Sequence, residues 1–185
     1  YRNRIQSGLP SFLGTNPASF EREGRTTEIL REECVAGFKL VGSLSDEQLK
    51  KAVILDTAYS HIAIRTSRKA LDDEAKGIFY KELDKSQQKM FTELLNIYLG
   101  RYPEEYAKDI MKEIEIAGVG ELRFAWAGTT KQIPSSLYYY RIKGPTIQIE
   151  LENVQNNANH VHSIMRDLLH DFGGDQLMEH WKKAH

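Results

Sequence analysis

The hydrophobic positions of this chain divide it into an irregular start, a helical middle and a strand-rich end. The opening YRNRIQSGLPSFLGTNPASF reads as a short strand, Arg2 to Gln6, and an irregular segment in which Pro10, Gly14 and Pro17 preclude a long helix. From about Thr27 to Val41 the apolar residues Ile29, Leu30, Val35, Phe38 and Leu40 have helical spacing. Ser45 followed by Gln48 is a capping box and predicts a short helix over 46–53. Leu55 to Ala75, where Ile62 and Ile64 alternate before a charged run, reads mostly as loop.

Asp84 with Gln87 starts the clearest helix, 85–99, whose apolar face carries Met90, Phe91, Leu94, Leu95, Ile97 and Tyr98 and which Gly100 ends. Pro103 opens a second helix to Ile116, and so short a link predicts an antiparallel pair. After Gly118 and Gly120 the period changes from helical to alternating. Leu122, Phe124 and Trp126 form one strand, Tyr138 to Ile142 a second, and Ile147, Ile149 and Leu151 a third, with Gly144-Pro145 as a tight turn. This is an antiparallel meander with one buried face. A polar Asn-rich loop, an extended segment at Asn159 to Ile164 and a final helix from about Asp175 to Lys183 complete the chain. The pattern as a whole predicts an α+β fold, and 185 residues suit one domain over 1–185.

Composition narrows the function by exclusion. Hydrophobic content of 41% and charged content of 28% are those of an ordinary globular protein. A net charge of −1 supplies no broad field for nucleic acid or anionic membrane, so nucleic acid is not an expected partner. No apolar run reaches the roughly 20 residues of a membrane span. The lone Cys34 excludes an internal disulfide and a cysteine-based zinc cluster. The compartment stays open, and the sequence specifies no small-molecule substrate.

Chemistry is concentrated between Gly144 and His180, which holds four of the six histidines. His160 and His162 are two apart, so on an extended segment both imidazoles leave one face, with Val161 and Ile164 on opposite or diverging sides. That spacing suits two ligands of one transition metal (zinc, copper, iron or manganese), with His180 as third ligand and Glu150 as a possible oxygen donor. Asp167, Asp171 and Asp175 offer further oxygens or fix histidine tautomers from behind. Arg166 lies four residues past His162 and would orient an anionic group; it is expected to be buried and bonded to Asp171, to Asp175 or to a backbone carbonyl of the Asn-rich loop. These residues, with catalytic roles given to Arg166, Asp171 and Glu150, describe a metal-dependent enzyme, hydrolytic or oxidative. The competing reading is a non-catalytic module in which the same His, Asp and Arg cluster only stabilises the fold. In that reading Asn156, Asn157 and Asn159 satisfy backbone groups of a tight loop.

Several ordered stretches carry a resemblance: FAWAG from Phe124, YYRIKGP from Tyr139, IELENVQNNANHVHSIMRD from Ile149, DFGGDQLMEH from Asp171, and FLGTNP from Phe12. Together they resemble the C-terminal half of the family catalogued as domain of unknown function 3500, across nearly the whole chain. The resemblance implies bacterial or fungal origin and names no activity. It also implies that members are about twice this length, with a Gly-His-His-Leu stretch in the half that has no counterpart here. On that basis the chain is expected to be a C-terminal portion that self-associates or takes a partner polypeptide. The expected contact surface is the sheet face of Leu122, Phe124 and Trp126 or the helix over 85–99.

Overall fold

The computed structural model of the protein describes residues 5, 7–63, 76–133, 135–174 and 181. The elements in chain order are β1 (Ser11–Thr15), β2 (Ser19–Arg22), β3 (Arg25–Glu28), α1 (Arg31–Gly42), α2 (Asp46–Ala52), β4 (Val53–Leu55), β5 (Ile78–Phe79), α3 (Lys85–Leu99), α4 (Glu104–Ala117), β6 (Arg123–Gly128), β7 (Tyr138–Lys143), β8 (Ile147–Gln155) and β9 (His160–Asp167). Seven strands make one mixed sheet in the order β1-β9-β8-β7-β6-β4, with β5 also paired to β6, and β2 and β3 form a separate hairpin. Among the described residues only β4 runs parallel to its neighbour. The fold is α+β.

The helices form where local signals ask for them. Ser45 and Asp84 each cap a helix, each answered by a glutamine three residues on, and the two boxes interlock because Gln48 Nε2 and Gln87 Oε1 lie 2.8 Å apart. On α4, Tyr106, Ile110 and Ile114 repeat every fourth residue and are the buried face. The core lies between these helices and one sheet face, where Trp126 stacks on Tyr138 at 5.4 Å and Phe38 of α1 meets both rings edge-on.

Several expectations are corrected. The stretch expected to be irregular, up to Phe20, contains β1 and the start of the β2–β3 hairpin, whose strands are too short and exposed to show alternation. The residues from Thr27 belong to that hairpin, so α1 starts only at Arg31. Ile164 shares the face of His162 rather than diverging from it, because strand period alone sets the face. The sheet face of Leu122, Phe124 and Trp126 is not an open contact surface: these residues are fully buried under the chain's own helices, as are Phe91, Leu94 and Tyr98 of α3. Large exposed apolar side chains instead include Phe12 and Leu13 on β1, with Leu169 and Phe172 after β9. The expected strand at Arg2 to Gln6 and helix at Asp175 to Lys183 lie outside the described residues, apart from Ile5 and Trp181. No helix among the described residues is long and apolar enough to cross a membrane.

Helix α1 approaches the sheet at Gly37, where an added Cβ would lie 2.7 Å from the ring of Tyr140. That ring cannot swing away, since its hydroxyl sits 2.6 Å from the Tyr98 hydroxyl and donates to the Glu33 carbonyl. Alanine for glycine inside a helix normally gains about 1 kcal/mol. Here overpacking reverses the sign, and Gly37→Ala is expected to lose about 1–3 kcal/mol in denaturant unfolding. A variant more stable than the parent would refute this packing.

Candidate functional site on the polar sheet face

The second face of the sheet is polar and still buried. Directly opposed residues in antiparallel strands share a face, so the register groups them into rows. One row is Ala127, Tyr139, Glu152, His162 and Gly14; the next is Ala125, Arg141, Glu150, Ile164 and Phe12; a third is Arg123, Lys143, Gln148 and Arg166. Glu150 and Glu152 are both 0% exposed. A carboxylate so far from water must be compensated, and both have hydrogen-bond partners. Glu150 accepts from the Ala63 backbone at 2.6 Å and from the Gln148 side chain at 2.8 Å, which ties the stretch before residue 64 down onto the sheet. Tyr59 of that stretch packs edge-on against Tyr139.

Glu152 is bonded to Nδ1 of His162, and its other oxygen accepts from the Val154 backbone at 3.2 Å. With the carboxylate as acceptor, Nδ1 is the donor, and Nε2 lies on the side of the ring turned to Gly14 of β1. The His160 and His162 rings are 4.4 Å apart between centroids. Space for the His162 ring exists because residue 14 is glycine: an added Cβ would lie 2.6 Å from Cδ2 of His162. Phe12 closes the same side, 5.5 Å from the ring. The predicted projection of His160 and His162 from one face is therefore present, and Glu152 is the residue that sequence reading missed. The signal was there: counting outward from the turn over 156–158 sets position 152, not 150, opposite 162.

The remaining predicted residues fall elsewhere. Arg166, 2% exposed, donates through Nε to Asp171 Oδ2, and the second Asp171 oxygen accepts from the Asp167 backbone. Burial pushes the Asp171 carboxyl up, against the lowering effect of Arg166. Four strand residues at about 3.3 Å each place this pair about 13 Å along β9 from His162, so it fixes the end of the strand and does not touch the histidine pair. His180 and Asp175 lie outside the described residues. Asn159 accepts from the Ser19 backbone and donates back to it, and Asn156 bonds Asn16, so these amides tie their loop to the chain start.

A second cluster forms where α4 meets the end of β9. Glu113, Asp167 and His170 each place one ligand atom so that all lie within 4.8 Å of one another. Such a group could hold a metal ion. Asp167 also accepts from the backbones of Leu169 and His170, and His170 Nδ1 lies 3.2 Å from its carboxylate. Burial raises the pKa of Glu113, while His170 beside it lowers it. Glu113 contacts a segment more than fifty residues away, which no local pattern reveals.

Replacing Arg166 tests the buried pair. Removing one partner of such a pair costs on the order of 3–5 kcal/mol, and Arg166→Lys is expected to keep most of that loss because an ammonium cannot reproduce the guanidinium's planar donors. Calorimetric melting within a degree or two of the parent would contradict it.

No curated protein and no solved structure matches the chain. One family does, over residues 1–174: "Protein of unknown function (DUF3500)". The stretches that carry the resemblance fall almost entirely within that span and include β1, the meander and the His160–His162 strand. The chain belongs to the DUF3500 family.

Proposed function

We propose that this chain is a metal-dependent enzyme, hydrolytic or oxidative, whose centre lies on the polar sheet face, with His160 and His162 as ligands and His180 as the third. The observation that supports this reading is the Glu152–His162 contact. A fully buried carboxylate on Nδ1 fixes the orientation of the ring, which leaves Nε2 for a metal beside the second imidazole. Open positions on zinc, iron, manganese or copper would serve two chemistries. A Lewis-acidic ion lowers the pKa of a bound water for hydrolysis, and a redox-active ion supports oxidation. Glu150, held by Gln148 and Ala63, supports the floor beneath the centre, and Arg166 with Asp171 anchors the strand that carries both histidines.

The Glu113, Asp167 and His170 group supports a second reading, in which the metal sits at the α4–β9 junction. Elemental analysis of protein purified without a histidine tag separates the two. The first reading expects stoichiometric metal that is lost in His160→Ala plus His162→Ala, retained in His170→Ala, and accompanied by an unchanged circular dichroism spectrum. Metal lost only in His170→Ala moves the site to the junction. Metal-free protein that unfolds on the paired substitution leaves the cluster a stabiliser of a non-catalytic module. Glu152→Gln is expected to weaken metal affinity about 10–100-fold in chelator competition, and an unchanged affinity would remove Glu152 from the centre.

A further inference from the structure

Strand β1 is the outer strand on the histidine side of the sheet, and among the described residues no strand lies beyond it. Which of its backbone groups face outward follows from a bond two strands away. The Leu168 amide donates to the Thr146 carbonyl at 2.9 Å, and in the β8–β9 register these two residues oppose one another. Hydrogen-bonded pairs recur at every second residue of an antiparallel ladder, so the even-numbered residues of β9 bond β8 and the odd-numbered ones bond β1. Ser11, Leu13 and Thr15 oppose odd-numbered residues, so Phe12 and Gly14 direct their backbone N–H and C=O groups away from the sheet. Edges of this kind are ordinarily guarded by a charge, a proline or a bulge. Within β1 there is none, and the whole run from Ser7 to Phe20 has no charged side chain. Phe12 is 58% exposed on the polar face, and Leu13 is 40% exposed on the other.

We propose that β1 pairs with β1 of a second copy of this chain, antiparallel and two-fold about Leu13, so that the sheet continues across a dimer. That register sets Phe12 opposite the partner's Gly14, and Gly14 opposite the partner's Phe12. These are the residues whose backbone groups face outward, so each pair exchanges both of its N–H···O bonds. A ring opposite a glycine fills the space left by the missing side chain, and the two Phe12 rings lie diagonally on one face within reach of each other. On the other face Leu13 meets its own copy. A strand from a different protein would use the same edge. A second copy is favoured because the run opposes no like charges to itself and matches its one ring to its one glycine. The partner's Phe12 joins the row of Gly14, His162 and Glu152, so the second copy walls the histidine row on the side that Gly14 leaves open. The pairing uses backbone groups and apolar side chains and forms with or without a metal, so it stands apart from the metal reading.

Sedimentation velocity of the untagged chain is expected to show a dimer populated at about 100 μM, the range of a small interface, and unchanged by a chelator. Leu13→Lys sets two like charges on the axis and should weaken the dimer at least about tenfold. Leu13→Glu should do the same, and an equimolar mixture of the two variants should regain the dimer, because position 13 faces itself. In a Cys34→Ser background, Leu13→Cys should form a disulfide-linked dimer on air oxidation, since residues opposed outside the hydrogen-bonded pairs have Cα atoms about 4.5 Å apart. Ser11→Cys should not, because four strand residues, about 13 Å, separate it from its own copy. This cross-link decides the matter even where a charged variant fails to fold. Dilution of the parent should also move the His162 ring resonances in NMR as the partner's Phe12 leaves their row. A parent that is monomeric at that concentration overturns the proposal, as does a dimer that a chelator abolishes. So does a dimer that survives Leu13→Lys, one that Ser11→Cys links as readily as Leu13→Cys, or His162 resonances that stay fixed across the transition.

Discussion

Two carboxylates with no contact to water, Glu150 and Glu152, set the terms for this fold. Both sit on β8, the third strand in from the β1 edge, on the sheet face away from the helices. A buried anion without compensation costs far more than a marginally stable domain can carry. The surrounding chain is therefore obliged to supply partners: a backbone amide from residue 63 and the Gln148 side chain for one, an imidazole and the Val154 backbone for the other. Two consequences reach beyond stability. The first is that an otherwise unstructured-looking stretch before residue 64 is pinned to the sheet. The second is that His162 is held in one orientation next to His160, which is the geometry a metal ligand needs and a surface histidine lacks.

The helix-facing side obeys a different rule. There the constraint is volume: Trp126, Tyr138 and Tyr140 stack across two strands, and α1 fits over them only because Gly37 has no side chain. Packing this dense leaves little room for irregularity. The gap that remains lies at the end of the row, where α1 begins and the Asn-rich turn takes three successive left-handed residues, Asn156, Asn157 and Ala158. The sheet thus presents a histidine pair on one side and this gap on the other, with β8 contributing Glu152 to the first and its neighbour Asn153 to the second. Strand alternation alone separates these two environments by a single residue.

Periodicity and capping carried most of the fold. Lys85–Leu99 was legible because Asp84, Gln87 and Gly100 mark its ends, and the meander because its inward residues alternate without a break. What escaped was short or non-local. β1 has a glycine and two exposed apolar residues in five positions, so nothing in its own sequence announces a sheet edge, and only pairing with β9 makes it a strand. At the site, the shared face of His160 and His162 follows from spacing, whereas Glu152 follows only from hairpin register and Glu113 only from tertiary packing. Gly14 reads as a loop breaker in sequence, yet its role is to leave space for the His162 ring.

The central claim is that Glu152 fixes His162 with Nδ1 protonated and Nε2 presented to a metal. Long-range proton–nitrogen correlation NMR of the imidazoles, at a pH where the rings are neutral and during zinc titration, tests it most directly. The account predicts a protonated Nδ1 and a bare Nε2 on His162, with the Nε2 resonance moving on zinc addition together with one His160 nitrogen. A proton on Nε2, a bare Nδ1 and no response to zinc would contradict it.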